Sequence, residues 1–142
     1  MSLHDLIPSL QVAIGPVILV SGVGLLLLSM TNRFGRVIDR SRELAMELRA
    51  GTGDRNRVVQ QIEILMRRAR VIRHAITLAV SSVLLAAVLI ITLFVAAVFA
   101  LEVGALVATL FIGCMAALIG ALVALLRDVN LSLAALTLEL EL

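Results

Sequence analysis

Three stretches of the chain are apolar at nearly every position, residues 7–30, 75–101 and 103–126. Between the first two, the pattern changes to an apolar residue at every third or fourth place. Each uninterrupted run exceeds the roughly 20 residues that a helix needs to cross a hydrocarbon core of about 30 Å. The pattern therefore predicts an all-α integral membrane protein with three transmembrane helices. In the intervening segment, 31–74, the positions Phe34, Val37, Ser41, Leu44 and Leu48 step by three and four. Val58, Ile62, Leu65, Ala69, Ile72 and Ile76 resume that spacing beyond Gly51-Thr52-Gly53-Asp54. This is the period of a coiled coil, so the predicted element is a cytoplasmic antiparallel helical hairpin between the first and second spans. Gly51 suits the position just past a helix end and Asp54 suits the N-cap of the next. Because the repeat reaches Ile76, the second arm is expected to run unbroken into the second span.

The tail, 128–142, fits two periods. Leu136 to Leu142 alternates like a strand, whereas Val129, Leu133, Leu136 and Leu140 make a helical stripe. A short amphipathic helix is the expectation, since a single strand beside helices would leave its backbone unpaired. Glu139 and Glu141 are then expected to meet the arginine-rich hairpin.

Composition and charge fix the orientation. With 61% hydrophobic residues and a mean hydropathy of +1.12, too little polar surface exists to clothe a soluble globule of 142 residues. The whole chain reads as one membrane domain. Eleven of the twelve basic residues lie between Arg33 and Arg73, against Asp39, Glu43, Glu47, Asp54 and Glu63, a balance of +6 for that segment. The positive-inside rule keeps this loop in the cytoplasm, with the N-terminus outside and the C-terminus inside, just beyond Arg127. Residues 1–9 carry no Lys or Arg, and the following run is too long for a signal-peptide core, so it is expected to be an uncleaved anchor.

Candidate chemistry is sparse. No nucleotide loop, catalytic constellation or metal-ligand cluster is present, and no ionisable side chain falls within the apolar runs, so the expectation is a protein that is not an enzyme and carries no cofactor or metal. Cys114 stands alone in the third span and reads as a small packing residue. On the first span, Gln11, Gly15, Gly22 and Ser29 fall on one narrow face, either a helix-packing seam or a pore-lining stripe. Thr77, Ser81 and Thr92 form a comparable face on the second. Gly113, Ala117, Gly120 and Ala124 do so on the third, where they suit close helix contact.

Folding the hairpin back on itself brings Arg33, Arg36 and Arg40 level with Arg67, Arg68, Arg70 and Arg73, with Arg127 joining from the third span. The result is an arginine collar at the inner leaflet. It serves as a topology anchor and is a candidate site for anionic lipid headgroups, each Arg contributing about 1 kcal/mol near an anionic surface. Asp39, one turn from Arg36 and near Arg42, points to ion pairing within it. There is no Trp or Tyr, so the usual aromatic belt is missing and arginine does the interfacial positioning. Nucleic acid is not an expected partner, since stacking aromatics are absent.

Pro16 followed by a Gly-rich apolar run, then Asn32-Arg33, Arg36, Asp39-Arg40 and Arg42, resembles a family of small bacterial three-span membrane proteins known only as a domain of unknown function. The resemblance covers nearly the whole chain and implies a bacterial inner-membrane protein. Separately, the order of one span, a cytoplasmic hairpin and two further spans looks like the core of Oxa1-type insertases, in topology alone. The functional expectation is a non-enzymatic homo-oligomer, channel-like or membrane-organising, whose collar engages anionic lipid. The alternatives are an insertase-like chaperone and a scaffold for another membrane protein.

Overall fold

The computed structural model describes residues 2–51 and 53–140. Three α-helices make up nearly all of it: α1 (Leu3–Ala50), α2 (Arg55–Phe99) and α3 (Gly104–Leu140). Among the described residues there is no strand. Each helix contains a segment long and apolar enough to cross a membrane, and only 11–17% of the residues in those segments are buried. They are apolar all round, which is the composition of a helix solvated by lipid rather than by water. Leu25, Ile91 and Ile112, for example, are each more than 60% exposed.

The helices run further than the spans. As expected, α2 is unbroken on either side of Ile76, from Arg55 to Phe99, and α1 likewise runs without interruption from Leu3 to Ala50. Pro8 and Pro16 lie within α1. A proline there removes one backbone donor, a loss that lipid-embedded helices accommodate through packing and local adjustment. The tail is helical, as expected, and forms the last turns of α3 rather than a separate element. The contact expected of Glu139 and Glu141 falls outside the described side chains.

The turns follow from local chemistry. Gly51 closes α1 at φ +71° and Gly53 follows at φ +85°, conformations that glycine adopts without steric cost. Asp54 then caps α2: its Oδ1 accepts from the Asn56 amide at 3.2 Å, and its carbonyl accepts the first helical bond from Val58 at 3.0 Å. At the far end of α2 the Leu101 amide donates to the Ala96 carbonyl at 3.0 Å, closing a Schellman turn with Ala100 at φ +52°. Glu102 lies in the short link to α3.

Two compact units divide the chain, the first formed by Met1–Leu27 with Leu78–Gly120 and the second by Leu28–Thr77 with Ala121–Leu142. The first is built on small buried residues: Ala13, Ala79, Ser82, Ala86 and Cys114, with Val23 and Leu89. Small side chains let helix backbones approach closely where no hydrophobic force acts between helices in lipid. The second has a larger-residue core of Val37, Leu44, Val58, Leu65 and Ile72, flanked by Phe34, Leu48, Ile62, Ala69 and Ile76. Every apolar position of the three-and-four repeat enters this core. Ser41, the polar member of the repeat, turns its hydroxyl onto the Val37 carbonyl at 2.8 Å.

Candidate functional site

The second unit also contains the one carboxylate that is fully buried among the described residues. Asp128 lies on α3 at 0% exposure, seven residues beyond the buried Ala121 and fourteen beyond the buried Cys114. Seven residues are close to two helical turns, so the three share a face. Arg33 of α1 approaches Asp128 with Nε at 2.9 Å and Nη2 at 2.8 Å, both donating to Oδ2. Arg68 of α2 donates from Nε to Oδ1 at 3.1 Å. The side chains of Arg33 and Arg68 are 31% and 17% exposed. One carboxylate thus ties all three helices together, each of its oxygens holding a different arginine. A buried carboxylate persists only when it is paired and hydrogen-bonded, and this one has both kinds of partner.

The collar is consequently split in two. Arg33 and Arg68 are committed to Asp128, whereas Arg36, Arg40, Arg67, Arg70, Arg73 and Arg127 are exposed. Arg40 pairs with Glu43 one turn on, at 3.1 Å. Arg67 and Arg70 line a shallow depression of about 380 Å³ together with Ile62, Glu63 and Met66. That surface offers two guanidinium groups beside apolar side chains, a combination suited to an anionic headgroup with its acyl stem.

The polar stripes separate in the same way. Gln11, Gly15, Gly22 and Ser29 are all exposed, and a Cβ added at Gly15 or Gly22 would meet nothing within 4 Å. Gly113 and Gly120 instead receive α2 side chains: an added Cβ would lie 3.5 Å from Leu85 Cδ1 and 3.0 Å from Leu78 Cδ1 respectively. The α3 stripe is therefore a packing seam within the chain, and the α1 stripe is outside it. On α2 the hydroxyls of Thr77 and Thr92 donate to the carbonyls of Arg73 and Val88, at 2.9 and 2.7 Å, while Ser81 is half-buried. Bonds of this kind satisfy a hydroxyl in its own helix.

Cys114 is buried and unoxidised, as its isolation in the sequence led us to expect for a packing residue. It exchanges hydrogen bonds with Ser82. The Ser82 hydroxyl donates to the Cys114 carbonyl at 3.0 Å, and the Cys114 thiol donates to the Ser82 carbonyl at 3.2 Å. No group of three or more His, Cys, Asp or Glu side chains suited to a metal ion occurs among the described residues.

The match to known families covers this whole arrangement. The model of DUF2721, described as a protein of unknown function, matches residues 13–138 and so includes Arg33, Arg68 and Asp128. The chain belongs to the DUF2721 family. No curated protein and no solved structure matches it.

In this DUF2721 member, sequence reasoning missed Asp128 as a partner of the arginines and took it as the first residue of the tail. Two signals were available. Asp128 is the sole acidic residue between Glu102 and Glu139, and it falls at the seven-residue spacing of Cys114 and Ala121. A carboxylate on that face, at the level where arginines gather, calls for a cationic partner on the facing helices.

Proposed function

We propose that this DUF2721 protein is a non-enzymatic, homo-oligomeric, membrane-organising protein of a bacterial inner membrane, whose exposed arginines engage anionic lipid at the cytoplasmic leaflet. In this reading the three apolar segments are inserted, the N-terminus lies outside, and residues 31–74 form a coiled-coil hairpin in the cytoplasm. The observation that carries it is the division of the arginines by Asp128. Two are paired with it inside, which holds the helices in place, and Arg67, Arg70, Arg73, Arg36 and Arg127 keep their guanidinium groups exposed. A collar needed only for packing would not leave so many donors outward, each about 1 kcal/mol in favour of an anionic surface.

The membrane-organising form of the reading is better supported than the channel-like form. A pore needs polar groups turned toward water, and the hydroxyls of Ser21, Thr77, Thr92 and Thr109 donate to the carbonyl four residues back on their own helices. An insertase-like groove has the same requirement.

The test replaces Arg67, Arg70 and Arg73 together, by Gln in one variant and by Lys in the other. Gln removes the charge, whereas Lys keeps it and loses the planar fork that holds phosphate in a bidentate manner. Retention of cardiolipin and phosphatidylglycerol is read by native mass spectrometry. A headgroup site loses lipid in both variants, and a generic electrostatic surface loses it in the Gln variant alone. Full retention in the Gln variant overturns the lipid reading.

A further inference from the structure

The face of α3 beside the one that holds Asp128 carries its own repeat. Leu122, Leu126, Val129, Leu133 and Leu136 follow one another at spacings of four, three, four and three, and all five are exposed, at 46, 64, 37, 59 and 50%. A stripe of half-exposed aliphatic side chains at this period is the seam of a two-stranded coiled coil. Its upper end needs no partner if it lies in lipid. Its lower end does: Val129, Leu133 and Leu136 follow Arg127, beyond the level at which the proposed topology has α3 leave the bilayer, so acyl chains do not reach them.

We infer that this seam is the self-association surface, covered by the same seam of a second copy in a parallel, two-fold pair. The inference rests on the membrane orientation and oligomeric reading above and names the surface that carries it. Three considerations select a second copy. Copies inserted in one orientation are related by an axis along the membrane normal, so their α3 helices run parallel and identical seam positions meet. Charge points the same way. The residues flanking the lower seam, Asn130, Ser132 and Thr137, are uncharged, whereas the exposed faces of α1 and α2 in the same unit carry Arg36, Arg42, Arg67, Arg70 and Arg73. Those faces also carry the exposed Asp39, Glu43, Glu47 and Glu63, so two copies meeting on them would have to desolvate charges of both signs, and two copies meeting on α3 would not. Area is the third. The five residues present on the order of 500 Å² per copy, so complete covering removes about 1,000 Å², the lower bound for a specific interface.

The geometry separates this face from the intrachain one. On a helix turning about 100° per residue, the five seam residues lie about 80° to 160° around from Asp128, with their mean direction about 120° from it. Pairing through the seam therefore leaves the Arg33–Asp128–Arg68 junction untouched.

The test uses full-length protein in native-lipid membranes, with Cys114→Ala as background and single cysteines placed along α3. Oxidation should give disulfide-linked dimer at Leu126→Cys, Val129→Cys, Leu133→Cys and Leu136→Cys, several-fold above Arg127→Cys and Ala134→Cys, which lie one position off the seam. Leu133→Glu with Leu136→Glu should convert dimer to monomer in nanodiscs while helix content by circular dichroism is retained. Dimer that persists in the double Glu variant, with cross-links at Gly15→Cys and Gly22→Cys instead, overturns the α3 seam and leaves self-association standing. A monomeric parent protein without cross-links at any of these sites overturns both, and the lipid-retention experiment is unaffected by either result.

Discussion

Arg33 reaches Asp128 across 95 residues of sequence and places two nitrogens, Nε and Nη2, on one carboxylate oxygen at 2.9 and 2.8 Å. The other oxygen holds Arg68 at 3.1 Å, so the junction of α1, α2 and α3 depends on a single side chain. Removing one partner of a buried pair leaves uncompensated charge and typically costs about 3 to 5 kcal/mol. Asp128→Ala should lower stability by that amount in chemical denaturation from detergent micelles. Replacing the whole group with Arg33→Met, Arg68→Met and Asp128→Leu should recover most of the loss, since apolar substitutes of similar volume are often neutral. An Asp128→Ala variant as stable as the parent would show that the junction contributes little.

A stabilising change is available at the C-terminal end of α2. Ala100 sits at φ +52°, where a Cβ is crowded and glycine is favoured. Ala100→Gly should raise stability by about 1 kcal/mol while preserving the Leu101 to Ala96 hydrogen bond, measured by thermal melting in detergent. A drop in melting temperature would count against this account of the turn.

The glycines of the spans should respond according to what faces them. Gly120→Val drives a branched side chain into Leu78 and should cost about 1 to 3 kcal/mol, because overpacked cores strain their neighbours. Gly113→Ala meets Leu85 at an ordinary contact distance and should be tolerated, and Gly22→Leu enters open space and should leave folding of the chain unchanged. Equal melting temperatures for Gly120→Val and Gly22→Leu would remove the distinction.

Orientation is checked by accessibility. With Cys114→Ala as background, Thr52→Cys, in the segment 31–74 proposed to be cytoplasmic, should be shielded from an impermeant thiol reagent in intact cells and labelled after lysis. Labelling in intact cells would invert the topology and place the arginines at the outer leaflet.

Much of this fold was legible because the membrane and the heptad each impose a period. The three long apolar helices, the Gly51 terminus, the Asp54 cap and all ten apolar members of the hairpin core, from Phe34 to Ile76, were visible as spacing alone. The partners of the arginines were not. Spacing places Arg33 and Arg68 at one level but says nothing of which way each side chain turns, and that depends on the third helix, where Asp128 reads as one more polar residue after a span. The α1 stripe was ambiguous for a related reason. A row of small residues leaves room for close approach, and only the facing atoms tell whether the chain itself uses that room, as at Gly120, or places nothing there, as at Gly22.

The position of Asp128 in the chain also sets an order of events. Proteins are made from the N-terminus onward, so Arg33 and Arg68 both exist before the carboxylate they share. Until α3 has been threaded, α1 and α2 hold two cations turned toward a place that is still empty of counter-charge. The third helix is thus the clasp of the molecule: a nascent chain halted before residue 128 has α1 and α2 joined by the core of Val37, Leu44, Val58, Leu65 and Ile72 alone, with Arg33 and Arg68 lacking their shared carboxylate.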